Sequence, residues 1–139
     1  MTLLLDTNAW VMGYLDSGAL PEEVRTVLGK RDASFGLSAI SLWEVGKKHQ
    51  IGKLELKQSL ATWLKGAVGA HIHVLPLSSE IVADAMSLPD FPNRDPADEL
   101  IVATARVHKL TLLTSDTKLK GYRHARIHYF TPILEDRKK

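Results

Sequence analysis

The chain is predicted to fold as a three-layer α/β/α domain around a mainly parallel sheet of roughly five strands. Short apolar runs, Leu3-Leu4-Leu5 and Leu110-Thr111-Leu112-Leu113 chief among them, suit strands buried on both faces. Segments with apolar residues at helical spacing alternate with these runs along the whole sequence. No internal repeat and no linker divides it, so residues 1–139 read as one domain.

Taken in order, Thr2 to Leu5 is the first strand, and Asp6 stands at its carboxyl end. A helix follows from Asn8 through Ala9, Trp10, Val11 and Met12, and Asp16 to Leu20 is a turn. Pro21 is expected at the first position of the next helix, with Glu22 and Glu23 in its first turn, where the helix dipole favours acids. Ala33 to Ser38 is the second strand. Ala39 to Gln50 is a helix with Ile40, Trp43 and Lys47 at helical spacing. Ser59 to Val68 is another, with Leu60, Trp63, Leu64 and Ala67 on one side. Ile72 to Leu77 is the third strand, and Ser78 caps a helix through Met86. Asp95-Pro96 opens the most clearly signed helix, which runs to His108 and carries small and aliphatic residues for close packing on a sheet. Leu110 to Thr114 is the fourth strand, followed by Ser115-Asp116 and a short helix. Arg126 to Phe130 is a fifth, edge strand. Glu135 to Lys139 is a charged tail, expected to fray.

The composition bounds the partners. Hydrophobic residues make up 45% of 139, enough for a proper core. A formal net charge of +2 permits an acidic partner such as RNA without demanding one. The absence of cysteine excludes disulfides and thiolate metal sites. With no basic leader, no cleavage site and no membrane-length apolar stretch, a cytoplasmic protein is expected.

Four acids carry the chemistry. Asp6 follows the first strand, Glu44 enters the helix after the second, Asp98 enters the helix before the fourth, and Asp116 follows the fourth. Each has a structural alternative. Asp6 and Asp116 suit helix caps, Ser41-x-x-Glu44 matches a capping box, and Asp95, Pro96 and Asp98 suit N-cap, N1 and N3. Caps can equally be serine, threonine or asparagine, yet every one of these places carries a carboxylate. If the first and fourth strands are neighbours, four negative charges meet at the sheet edge where ligands collect in open α/β folds. Close pairs repel by about 4 kcal/mol at an effective dielectric near 20. Either the pKa values rise or a cation binds. All-oxygen donors favour a hard ion, Mg²⁺ or Mn²⁺, which suits metal-assisted phosphodiester hydrolysis.

Leu4-Leu5-Asp6-Thr7-Asn8, Ser41-Leu42-Trp43-Glu44-Val45, Asp95-Pro96-Ala97-Asp98 with Leu100 to Ala105, and Leu113-Thr114-Ser115-Asp116 together resemble PIN-domain ribonucleases, and more narrowly VapC-type toxins of toxin–antitoxin modules. The resemblance spans nearly the whole chain, with the motifs in order. It implies a metal-dependent endoribonuclease acting on structured RNA, tRNA or rRNA, a homodimer, and a cognate antitoxin protein. It matches the family's acids to Asp6, Glu44, Asp98 and Asp116. It gives Asn8 and Thr114 supporting polar roles and Asp95 the place of an extra acid. Many relatives flank the third acid with an aromatic and an arginine; Ala97 and Glu99 stand there instead. That departure bears on substrate preference, and Glu99 is expected to face solvent.

Lys118, Lys120, Arg123, His124 and Arg126 follow Asp116 closely and suit either RNA phosphates or an ordinary solvated face. Lys47 and Lys48 carry the same two readings. The six histidines lack ligand spacing. Trp10, Tyr14, Trp43 and Trp63 are expected in the core, with Trp10, Val11 and Tyr14 as alternative lining of an antitoxin groove. Two rival functions stand beside the nuclease. An aspartyl-nucleophile phosphatase usually wants a second acid two residues after the first, where this chain has Asn8. A non-catalytic RNA- or partner-binding PIN-like domain is the other.

Overall fold

A computed structural model describes residues 1–133. The tail from Glu135 to Lys139 lies outside the described residues. The strands are β1 (Leu3–Leu5), β2 (Phe35–Ser38), β3 (Ile72–Leu75), β4 (Thr111–Thr114) and β5 (Ile127–Tyr129). The helices are α1 (Thr7–Leu15), α2 (Glu22–Leu28), α3 (Ala39–Gln50), α4 (Leu60–Ala67), α5 (Ser79–Ala85) and α6 (Pro96–His108). The strands form one sheet in the order β3-β2-β1-β4-β5, and every pairing is parallel. Chain order reverses between β1 and β4, so a crevice opens beyond their carboxyl ends.

The leucine runs are explained by the two faces of this sheet. Leu4 and Leu112 pack with Ile101, Val102 and Ala105 of α6 on one face. Leu5 and Leu113, one residue on, join Trp10, Leu37, Val45 and Trp63 on the other. A strand covered on both sides has no position for a charged residue, and β1 and β4 contain none. Gly36 in β2 leaves room for side chains packed over the sheet: a Cβ there would stand 3.1–3.3 Å from the Leu75, Leu4 and Leu110 side chains. Gly36→Ala is therefore expected to destabilise the fold by about 1–3 kcal/mol through overpacking. Urea unfolding with an unchanged midpoint would contradict this.

Arg106 ties α6 to α5. Its Nε and Nη2 donate to Asp84 at 2.8 and 3.1 Å, and its Nη1 donates to the His124 carbonyl. Hydrogen bonds to charged groups contribute about 1.5–3 kcal/mol net, and less where, as here, the pair is partly exposed. Arg106→Leu, which strands Asp84, is expected to lower stability by about 2 kcal/mol.

Several local expectations are corrected. The helix after β1 starts at Thr7, one residue early, because Asp6 is its N-cap. Pro21 is the N-cap of α2 rather than its first residue; its ψ of 154° is extended. The third strand stops at Leu75, before Pro76, which has no N–H for a ladder. Trp10 and Trp63 are core residues, in edge contact at 5.3 Å. Tyr14 and Trp43 are not: they are 46% and 59% exposed. On α3 the buried positions are Ser41 and Val45; Trp43 and Lys47 face outward, while Ile40 is half-buried against the Leu4–Ile101 cluster. Helical spacing shows which residues share a side but not which side the protein covers.

Candidate active site

Register places the first acid. Leu5 pairs with Leu113, and the Asp6 N–H donates to the Leu113 carbonyl at 3.0 Å, so Asp6 and Thr114 leave the sheet side by side. Thr114 is fully buried, and its Oγ1 donates to Asp6 Oδ2 at 2.6 Å. The same oxygen accepts from the Asp116 N–H at 3.0 Å. One hydroxyl therefore sets the distance between two acids from opposite ends of the chain. The other Asp6 oxygen, Oδ1, accepts from the Thr7 N–H at 2.8 Å. Asp6 is both the helix cap and a site residue, and the two readings of it do not compete.

Glu44 arrives from α3. It lies in the second turn of that helix, its sixth residue, not at its entrance. The capping-box alternative does not hold: the N-cap is Ser38, which accepts from the Ile40 N–H. Ser41 and Glu44 instead meet Thr7. The Thr7 hydroxyl donates to Glu44 Oε1, which leaves the Ser41 hydroxyl, 2.7 Å away, to donate to Thr7. Asp98 comes from the first turn of α6. Asp95 caps that helix through the Ala97 N–H at 2.9 Å. Asn93 bridges the two acids: its Oδ1 accepts from the Asp95 N–H at 2.8 Å and its Nδ2 donates to Asp98 Oδ2 at 3.2 Å. Asp116 caps the 3-10 turn Thr117–Leu119 through the Lys118 N–H at 2.9 Å.

All four acids line one pocket, with Asn8 and Asp95 at its edge and Lys48 and Lys118 beside them. The electrostatics show the crowding. Asp6 is pushed up to about 6, mainly by burial and further by Glu44 and Asp116, against the opposing pull of its Thr114 and Thr7 hydrogen bonds. Asp98 is pushed up to about 7 by burial, then by Asp95, Asp6, Asp116 and Glu44. A set of oxygen donors that resists ionisation for want of positive charge has the chemistry of a hard-cation site. Among the described residues, no three of these side chains as they lie close around a single point at ligating range.

A family model described as PIN domain matches residues 3–125. The chain belongs to the PIN-domain family. Ribonuclease VapC22 of Mycobacterium tuberculosis is 32% identical over 125 residues, 90% of this chain and 95% of that protein. Among solved structures, DNA-bound VapBC from Salmonella typhimurium has a TM-score of 0.71 at 17% identity, covering 93% of this chain and 98% of that one. A toxin–antitoxin complex from Klebsiella pneumoniae has a TM-score of 0.62 at 18% identity, covering 92% and 96%. These two structures show a shared fold.

In this PIN domain the basic residues that follow Asp116 do not stay together. Lys118 lines the acidic pocket. Lys120 lies over the Tyr129 ring at 5.0 Å. Arg123 and Arg126 line a separate cavity with Arg106 and Lys109, at the carboxyl end of α6, while the acids sit at its amino end. That helix has 13 residues, so the separation is about 20 Å at 1.5 Å per residue. Glu99 is half-buried and is not part of the pocket lining. The sequence gives Thr7 and Asn93 no role and reads Ser41 only as the start of a capping box. Asn93 stands two residues before Asp95, a spacing typical of an Asx turn. Nothing local points from Ser41 to Thr7, its partner 34 residues away.

Proposed function

We propose that this PIN domain is a metal-dependent endoribonuclease, the toxin of a toxin–antitoxin pair. The observation that carries this reading is the meeting of Asp6, Glu44, Asp98 and Asp116, from four separate segments, in one pocket beyond β1 and β4. The name of the VapC22 relative supports ribonuclease activity, and the structured RNA (tRNA or rRNA) is the substrate class that the family resemblance implies. The four acids would hold Mg²⁺ or Mn²⁺. When bound, such an ion supplies a more acidic water and neutralises charge on a phosphoryl group. The protein's part is positioning. Thr114 holds Asp6 and Asp116, the Ser41–Thr7 pair holds Glu44, and Asn93 holds Asp98. Lys48 and Lys118 flank the carboxylates, where the phosphates on either side of a scissile bond need a counter-charge. Against the phosphatase reading, Asn8 is an exposed amide in the pocket lining and cannot act as the general acid.

The deciding experiment incubates purified protein with total RNA in Mg²⁺, Mn²⁺ or EDTA and sequences the new ends. Discrete ends that need the divalent ion are expected; binding without cleavage would favour the non-catalytic reading. Thr114→Val keeps the shape and removes both hydrogen bonds of the hydroxyl. Losing such an orienting partner typically costs about 10–100-fold in activity or metal affinity, and that drop is expected here.

The partner protein is proposed to be an antitoxin encoded nearby, consistent with the toxin–antitoxin assembly of the Klebsiella structure. Expression of this chain alone is expected to slow growth and cut RNA, and co-expression of that neighbour to restore both. A homodimer is also proposed. Val82 and Met86 leave an apolar strip of 43% and 69% exposure at α5. Light scattering at micromolar concentration should give twice the chain mass.

A further inference from the structure

α3 presents two strips side by side. Glu44 and Lys48, one turn apart, face the acidic pocket. Ile40, Trp43 and Lys47 form the next strip, and with Pro96 and Ala97 of α6 they line a groove of ≈ 520 Å³. The groove is continuous with the acidic pocket, because Glu44, Lys48 and Asp95 belong to both. Trp43 is the feature that packing leaves unexplained. It is 59% exposed, whereas the other two tryptophans are buried in the core. Lys47 at its side donates to the Gln50 amide oxygen at 2.8 Å, and among the described residues it pairs with no acid.

We propose that Trp43 is a positioning residue for the RNA, on which one unpaired base next to the scissile phosphodiester stacks. This rests on the ribonuclease reading above and assigns the side chain that would hold the nucleotide beside the cut. The occupant follows from the chemistry of the groove. A flat aromatic face beside ammonium groups is what an unpaired nucleotide needs, its base on the ring and its phosphate on the cation. Pro96 and Ala97 give the groove apolar lining for a base, and Glu44, Lys47, Lys48 and Asp95 give it charged lining. A paired base is already stacked on its neighbours and has no free face to give. Lys48 spans the border between groove and pocket, and a phosphate held there lies between the stacked base and the acids.

The test uses the full chain and a short labelled RNA hairpin carrying a cleaved sequence. Trp43→Ala is expected to raise KM about tenfold, within the range for losing one stacked base, with kcat little changed. Trp43→Phe should recover most of the loss. An abasic nucleotide beside the cut site should weaken wild type by a similar factor and add nothing to Trp43→Ala. Binding of the RNA in EDTA should quench tryptophan emission in wild type and not in Trp43→Phe, since Trp10 and Trp63 are out of reach. Wild-type cleavage with an unchanged KM in Trp43→Ala overturns the stacking role alone. So does a fall in cleavage that tracks loss of the dimer in light scattering, which would make Trp43 a self-association contact. If wild type cuts no RNA in any divalent ion, the ribonuclease reading falls and takes this proposal with it.

Discussion

Asp6→Asn and Asp116→Asn are each expected to abolish RNA cleavage while leaving the protein folded. The expected loss exceeds the roughly 10–100-fold typical of residues that only orient a ligand, because these two would contribute donor oxygens themselves. Folding should survive because the amide keeps the geometry each carboxylate provides. At position 6 the asparagine oxygen can still accept from the Thr7 N–H or from Thr114 Oγ1, and asparagine is as good an N-cap as aspartate. At position 116 the Lys118 N–H keeps an acceptor. The measurement is single-turnover cleavage with circular dichroism of the same samples. Wild-type rate from either variant would remove that residue from the site.

Asp98→Asn is expected to make the metal-free protein more stable at pH 8 and to blunt its response to Mg²⁺. Two effects oppose one another. Loss of a first-turn carboxylate forfeits about 0.3–1 kcal/mol of helix-dipole interaction. Removal of a crowded charge relieves repulsion from Asp95, Asp6, Asp116 and Glu44 and the burial cost of the ionised form. Burial first, and the neighbouring acids after it, raise the Asp98 pKa from 3.8 to about 7, which favours the second effect. The pH dependence follows. Asp6 and Asp98 hold their protons in the fold to about 6 and 7 but lose them near 3.8 in the unfolded chain. Between those limits the native state binds more protons, so stability falls as pH rises from about 4 to about 7. Below the unfolded value the penalty is absent, and the two proteins should melt alike. Added Mg²⁺ should stabilise wild type by about 2.7 kcal/mol at a hundredfold excess over its Kd, and the variant by much less. Thermal melts in EDTA across pH, then across a Mg²⁺ titration, give both results. A variant that melts lower in EDTA and answers Mg²⁺ like wild type would leave Asp98 a helix-dipole partner only.

By itself the sequence determined the parallel α/β architecture, the order of its elements and the places of Asp6, Asp98 and Asp116 at strand ends and helix starts; it put Glu44 at a helix entrance, one turn too early. These were legible because their causes are local. Leu3 to Leu5 and Leu110 to Leu113 are too apolar to face water on either side, and Asp95-Pro96 opens a helix wherever it lies. The caps were also real: Asp6, Asp95 and Asp116 each accept a first-turn N–H. Only the tertiary structure showed that capping and clustering coexist. Asp6 meets Thr114 across 108 positions, and Thr7 meets Glu44 across 37, contacts that no spacing encodes. The same holds for Trp43 and for the basic run after Asp116. A helical repeat lists the residues on one side, but which side is covered depends on what packs there. On α3 it is Ser41 and Val45 that are covered, and Trp43 is left open beside the acids. Lys118 stays at the pocket while Arg123 and Arg126 pass to the far end of α6, because the chain turns back there to enter β5 at the sheet's amino edge.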